Sequence, residues 1–172
     1  MKTLTDQLAQ YAAYHRDTRN VITHMVGIPL IVVAVATLLS RPAFGTAPLA
    51  LSPAVLAGIT AAIFYLRLDA RLGMAMTLLL ALSIWAGQLL AAQSTVLWLA
   101  SGLGMFFIGW VIQFVGHYYE GRKPAFMDDL MGLAIGPLFI VAELGFLLGL
   151  RRDVCRAVEE RVARSSTGGL RI

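Results

Sequence analysis

The sequence predicts an all-α, multi-pass integral membrane helical bundle: four spans, then a fifth hydrophobic segment that is broken or re-entrant. Three observations predict it. Hydrophobic residues fill 58% of the 172 positions and charged residues only 14%, where a soluble domain carries nearer a quarter. Mean hydropathy is +0.74. Several apolar stretches approach the roughly 20 residues needed to cross a bilayer core. Their connections are too short to hold a second fold, so residues 1–172 read as a single membrane domain. It divides into an N-terminal arm (1–20), a helical bundle (21–150) and a basic tail (151–172).

The first span covers residues 21–39 and stops at Ser40-Arg41-Pro42, with Pro29 near its start as a kink or an early helical turn. The second covers 49–66, after a loop containing Pro and Gly. The third covers 72–92 and the fourth 96–114, with only Gln93, Ser94 and Thr95 between them. Gly102, Gly104, Gly109 and Gly116 give the fourth span a surface on which another helix can pack closely. The fifth stretch, 130–150, carries Gly136-Pro137 and the acidic Glu143. It is therefore expected to break or re-enter, with protein covering its backbone.

Lys and Arg set the orientation. The arm holds Lys2, Arg16 and Arg19, the first loop Arg41, and the second Arg67 and Arg71. Arg122 and Lys123 follow the fourth span, and the tail holds six arginines. With the N-terminus inside, the four spans obey the positive-inside rule, whereas a fifth full crossing would place the arginine-rich tail outside. Both termini are thus expected in the cytoplasm. Short loops and the lack of an organelle or cleavable signal favour a bacterial inner membrane, or the endoplasmic reticulum in a eukaryote.

Composition also excludes. Cys155 is the only cysteine, which rules out an intrachain disulfide and thiolate metal clusters. The formal charge is +4, but the basic residues flank apolar segments, so the expected partner is the lipid bilayer rather than nucleic acid.

The three histidines, His15, His24 and His117, all fall at hydrophobic boundaries, and the predicted topology gathers them at one membrane face. His117 and Glu120 are three apart and share a helical face, so both can point at one ion. His15 and His24 are nine apart, about 900° on an unbroken helix, hence on opposite faces. They can share an ion only where the chain bends between them. Asn20 shares a face with His24 and is placed to cap the entering helix. Each histidine alone reads as an interfacial residue with a water or backbone partner. Together, imidazole and carboxylate with open positions suit non-haem iron(II), with zinc left open by the ligands alone.

Arg16, Arg19, Arg122 and Lys123 offer cations for a carboxylate substrate or a lipid headgroup, or serve as ordinary membrane anchors. Tyr14 belongs to a tyrosine cluster with Tyr11, Tyr118 and Tyr119. Glu143 is costly in an apolar stretch and suits a structural role or a carboxylate behind a metal-bound histidine.

Tyr14-His15, Asn20, His24, Gly27 and Pro29, followed by the run from Gln113 through His117-Tyr118-Tyr119-Glu120 to Phe126, resemble two signatures of a known family. Asp128, Pro137 and Glu143 continue the pattern. The family is that of the 2-hydroxy fatty acid dioxygenases of phytosphingosine breakdown, and the resemblance covers nearly the whole chain. It implies removal of one carbon from a 2-hydroxy fatty acid by iron(II) and O2. It further implies His15, His24 and His117 as catalytic residues, with Glu120, Glu143 or water completing the metal's ligands. The competing classes are a small transporter and a structural scaffold. Against the transporter, the centres of the first four spans are nearly free of ionisable groups.

Overall fold

A computed structural model describes residues 2–45 and 51–168. The described residues form seven α-helices: α1 (Leu4–Ala12), α2 (Thr18–Leu39), α3 (Pro53–Leu68), α4 (Ala70–Ala91), α5 (Thr95–Glu120), α6 (Met131–Leu147) and α7 (Arg152–Gly168). A 3-10 turn (Ala125–Met127) precedes α6. Each of the first five helices begins at a side-chain cap. Thr3, Asp17, Ser52, Asp69 and Ser94 accept from otherwise unpaired N–H groups of the first turn.

Three helices are long and apolar enough to cross a membrane: α2, α4 and α5. The second expected span is shorter than the sequence suggests. Helix α3 starts at Pro53, and its 16 residues rise about 24 Å against a hydrocarbon core of about 30 Å. Positions 49 and 50 of that expected span lie outside the described residues. The fifth segment is broken, but not at Gly136-Pro137: Pro137 sits inside α6. The break follows Leu147, where Gly149 and Arg151 take positive φ values of 73° and 51°, and α6 and α7 meet at a bend of 116°. Leu150 N–H donates to Gly145 O and Gly149 N–H to Phe146 O, which satisfies carbonyls that the helix end leaves open.

The α2–α5 seam organises the bundle. On α5, Gly102, Gly109 and Gly116 recur every seven residues; on α2, Asn20, Gly27 and Ala34 do the same, a spacing that keeps one stripe facing its partner. A Cβ on Gly27 would stand 2.9 Å from Gly109 O, and one on Gly109 would stand 3.0 Å from Gly27 O. The antiparallel backbones therefore approach as only glycine permits. Gly104 takes no part, since a Cβ there would meet open space.

At the far end of the seam, Trp98 Nε1 donates to Thr37 O at 2.8 Å. There too the Arg41 guanidinium donates to Ala91 O and Gln93 O, tying α2 to the end of α4.

The arm and tail are parts of the fold rather than loose flanks. Thr3 and Asp6 form a reciprocal capping box on α1. Leu4 and Leu8 of α1, Val154 and Val158 of α7, and Ile135, Leu138 and Phe139 of α6 share one buried cluster. At the opposite edge, both guanidinium Nη atoms of Arg151 donate to the Asp69 carboxylate at 2.7 and 2.9 Å. That partner holds the Asp69 carboxyl below the usual carboxylate range.

Candidate metal centre

The sequence places a helix break where the site needs one. Helix α1 ends at Ala12 and α2 begins at Thr18. The five residues between them turn the chain, so His15 faces His24 instead of pointing away from it. His117 enters from α5, across the glycine seam. All three histidines are buried, and one nitrogen of each lies within 4.8 Å of the others.

Hydrogen bonding fixes which nitrogens are free. His15 Nδ1 lies 2.8 Å from Tyr11 O, and His24 Nδ1 lies 2.9 Å from Asn20 O. A carbonyl only accepts, so each Nδ1 carries its proton and each Nε2 presents a lone pair. Those two Nε2 atoms stand 3.1 Å apart. Burial pushes His15 down to about 4, so it is uncharged at neutral pH. Two opposed lone pairs at this distance call for a cation between them. Nitrogens bound about 2.1 Å from one ion, at angles from tetrahedral to octahedral, stand about 2.9–3.4 Å apart. The His117 Nδ1 is buried with no protein partner. The donor set fits a metal, and the two backbone carbonyls are the partners that orient metal-bound imidazoles elsewhere.

Tyr11 contributes more than its carbonyl. Its ring stacks on His15 at 4.1 Å between centroids and 5° between planes, holding that imidazole in one orientation. Burial raises the Tyr11 phenol well above its ordinary pKa, so it stays neutral.

The remaining expected residues divide. Glu120 comes close to the site but turns to the start of α2. Its carboxylate accepts from Arg16 N–H at 3.0 Å, Asp17 N–H at 2.8 Å and Asn20 Nδ2 at 3.1 Å. An anion fits there because a helix N-terminus offers unpaired N–H groups and a positive dipole end. Asn20 is therefore not the cap of α2; Asp17 is, accepting from Arg19 N–H at 2.8 Å. Tyr14 donates to Asp128 Oδ2 at 3.2 Å. Glu143 lies beside Cys155 and Glu159 in a groove between α6 and α7, with no histidine in its lining.

Of the expected cations, Arg16 contributes its backbone N–H to Glu120. Arg19 pairs with Asp17 at 2.8 Å and stacks over Tyr119 at 4.4 Å. Arg122 donates to Ala13 O at 2.9 Å. None of the three lines the cavity beside the histidines.

That cavity, about 90 Å³, has His24, His117, Tyr11, Trp110, Gln113 and Phe126 in its wall. Ile31, Val32, Trp110, Leu133 and Pro137 also line a second, larger groove of about 420 Å³. It runs between α2, α3 and α4 past Ala36, Ala61 and Ile84. A mainly apolar cavity beside the histidines thus shares a wall with an apolar groove. The groove carries no pattern in the sequence beyond ordinary apolar helices, and Gln113 shows only as the first residue of the second signature, with no role assigned to it. Tyr11 shows only as one of several interfacial tyrosines.

Fold and site together define a helical bundle of membrane-spanning character with three buried histidines, placed so that they could hold a metal ion, beside an apolar groove. The chain belongs to the Mpo1-like family, described as 2-hydroxy-palmitic acid dioxygenase Mpo1-like, whose model matches residues 1–148. It is 34% identical over 148 residues to 2-hydroxy-palmitic acid dioxygenase MPO1 of Saccharomyces cerevisiae, covering 85% of this chain and 82% of the yeast protein. No solved structure matches it. Helix α7 lies beyond the family match.

Proposed function

We propose that the protein is an iron(II)-dependent dioxygenase that shortens long-chain 2-hydroxy fatty acids by one carbon. The observation that carries this is the meeting of His15 and His24 through unprotonated Nε2 atoms 3.1 Å apart, beside a cavity that shares a wall with an apolar groove. His15, His24 and His117 would hold the metal. All three are neutral ligands, so a divalent ion there keeps its full charge and attracts a carboxylate. When bound, iron supplies a Lewis acid for the 2-hydroxy acid and one-electron chemistry with O2.

The reaction balances as one 2-hydroxy acid and one O2 giving the acid one carbon shorter, CO2 and water. The bond between C1 and C2 breaks, C2 rises from alcohol to carboxyl level, C1 leaves as CO2, and O2 accepts the four electrons. The chain's own part is to place the substrate. His24 and His117 set the head beside the metal, while Trp110 and Phe126 exclude water. From His24 to Leu39, α2 rises about 22 Å, the scale of a long acyl tail, which lies in the groove. Arg16, Arg19, Arg122 and Lys123 support a cytoplasmic face for this end of the bundle, by the positive-inside rule.

Purified after growth in iron, the protein should carry about one iron per chain and consume O2 with 2-hydroxypalmitate but not with palmitate. Bound zinc with no O2 consumption would overturn the iron chemistry. Tail placement has its own check. Ala61→Phe, which narrows the groove midway, should lower O2 uptake with 2-hydroxypalmitate about tenfold, a loss equivalent to about 1.4 kcal/mol. Uptake with 2-hydroxylaurate should stay within about twofold, a difference of about 0.4 kcal/mol. Equal losses with both acids would place the tail elsewhere.

A further inference from the structure

Gln113 is buried in α5, with only 4% of its surface exposed. Neither its Nε2 nor its Oε1 has a hydrogen-bond partner. Burying a primary amide without partners is costly, and native proteins rarely tolerate it without a reason. Its position supplies one. Gln113 stands one turn before His117 on the same face of α5, and both line the head cavity with His24. The rest of that wall is almost wholly apolar, including Ile28, Trp110, Pro124 and Phe126. Across the seam the amide lies over Gly27, where a Cβ would stand 3.0 Å from Gln113 Nε2. A side chain at residue 27 would therefore crowd the amide.

We propose that Gln113 reads the substrate's polar head and sets the preference for a 2-hydroxy acid over an unsubstituted one. This rests on the substrate class proposed above. An amide matches that head group for group. Its N–H donates to a carboxylate oxygen, and its Oε1 accepts from the 2-hydroxyl, a donor that an unsubstituted fatty acid lacks. A fatty acid without the hydroxyl leaves Oε1 buried and unpaired, and a site built to hydrogen-bond a hydroxyl discriminates strongly against ligands without one. The cavity holds no arginine, so Gln113 and the metal share recognition of the head. Gln113 acts as a specificity residue, and no proton transfer is assigned to it.

The test is anaerobic equilibrium binding of 2-hydroxypalmitate and of palmitate to detergent-purified, iron-loaded protein, wild type against Gln113→Met. Methionine keeps the shape and removes the hydrogen bonds. Wild type should prefer the hydroxy acid by tenfold or more. The variant should bind it at least tenfold more weakly and lose clearly less with palmitate, which shares only the carboxylate contact, so that the preference falls, with iron content unchanged. Its ligand-free melting temperature should hold or rise, because an unpaired amide has been removed; a purely structural glutamine would lower it. A wild-type preference that survives in Gln113→Met overturns the role of Gln113 alone. A wild type with no preference overturns the substrate class and this inference with it. A Gln113→Met protein that melts lower and binds both acids equally weakly makes the residue structural and also overturns the proposal.

Discussion

His24→Ala is expected to abolish both metal binding and O2 uptake while leaving a folded bundle. The three rings form a nearly equilateral triangle, with His24 4.5 Å from His15 and 4.9 Å from His117 and those two 5.2 Å apart between centroids. Removing His24 leaves two imidazoles from different elements, one of them on a five-residue turn. The loss should exceed the roughly 10–100-fold that follows when only an orienting partner of a metal ligand is removed. The fold should survive because α2 and α5 meet along the whole glycine stripe, and His24 makes one hydrogen bond there, to Asn20 O. Metal-free His24→Ala also loses the opposed lone pairs of His15 and His24. Iron should therefore raise the wild-type melting temperature, as a ligand that binds only the native state does, and should leave that of His24→Ala unmoved. A variant that keeps one iron per chain and wild-type uptake would remove His24 from the site.

What the sequence reveals of this protein follows from which interactions are periodic. The apolar runs that become α2, α4 and α5 are legible because a span buries nothing but hydrocarbon against lipid. Trp85, Phe107 and Val111 remain exposed on the finished bundle. The seam is legible too, since Gly102, Gly109 and Gly116 repeat at seven, although the same reasoning wrongly includes Gly104. The bend between His15 and His24 is legible only as a condition: nine residues oppose two side chains on a helix, so a shared ion requires the chain to bend between them.

Other features leave no such trace. Helices α1 and α7 are short and amphipathic, and their packing on each other and on α6 depends on a tertiary partner. The stop after α6 lies at Gly149 and Arg151, where positive φ ends the helix, whereas the more conspicuous Pro137 is absorbed. Backbone carbonyls such as Tyr11 O carry no residue identity, so their hold on His15 is invisible in a list of side chains. The unpaired state of Gln113 is likewise a property of the cavity around it.

Glu120 is the residue where spacing and structure diverge most, and two substitutions separate the roles. Three positions after His117, it looks like a second ligand on one helical face. In the fold its two oxygens bind the N-terminus of α2 and Asn20 Nδ2, so it pins the turn that carries His15 against the helix that carries His117. In that role Glu120→Ala should weaken iron binding about 10–100-fold by loosening His15. The site should still fill to one iron per chain when iron is raised. Glu120→Gln keeps one oxygen to accept from Asp17 N–H and should lose less, because a neutral acceptor makes roughly half the interaction of a charged one. X-ray absorption at the iron edge should show the same count of imidazole neighbours in both variants as in wild type. A coordinating carboxylate predicts a different pattern: both variants lose a direct bond, so affinity falls further, and the iron's oxygen neighbours change. The strut also predicts a coupling that a ligand does not. Asn20→Ala, which removes one of the donors Glu120 holds, should weaken iron binding in the wild-type background and add little in Glu120→Ala, since the two residues fix the same turn.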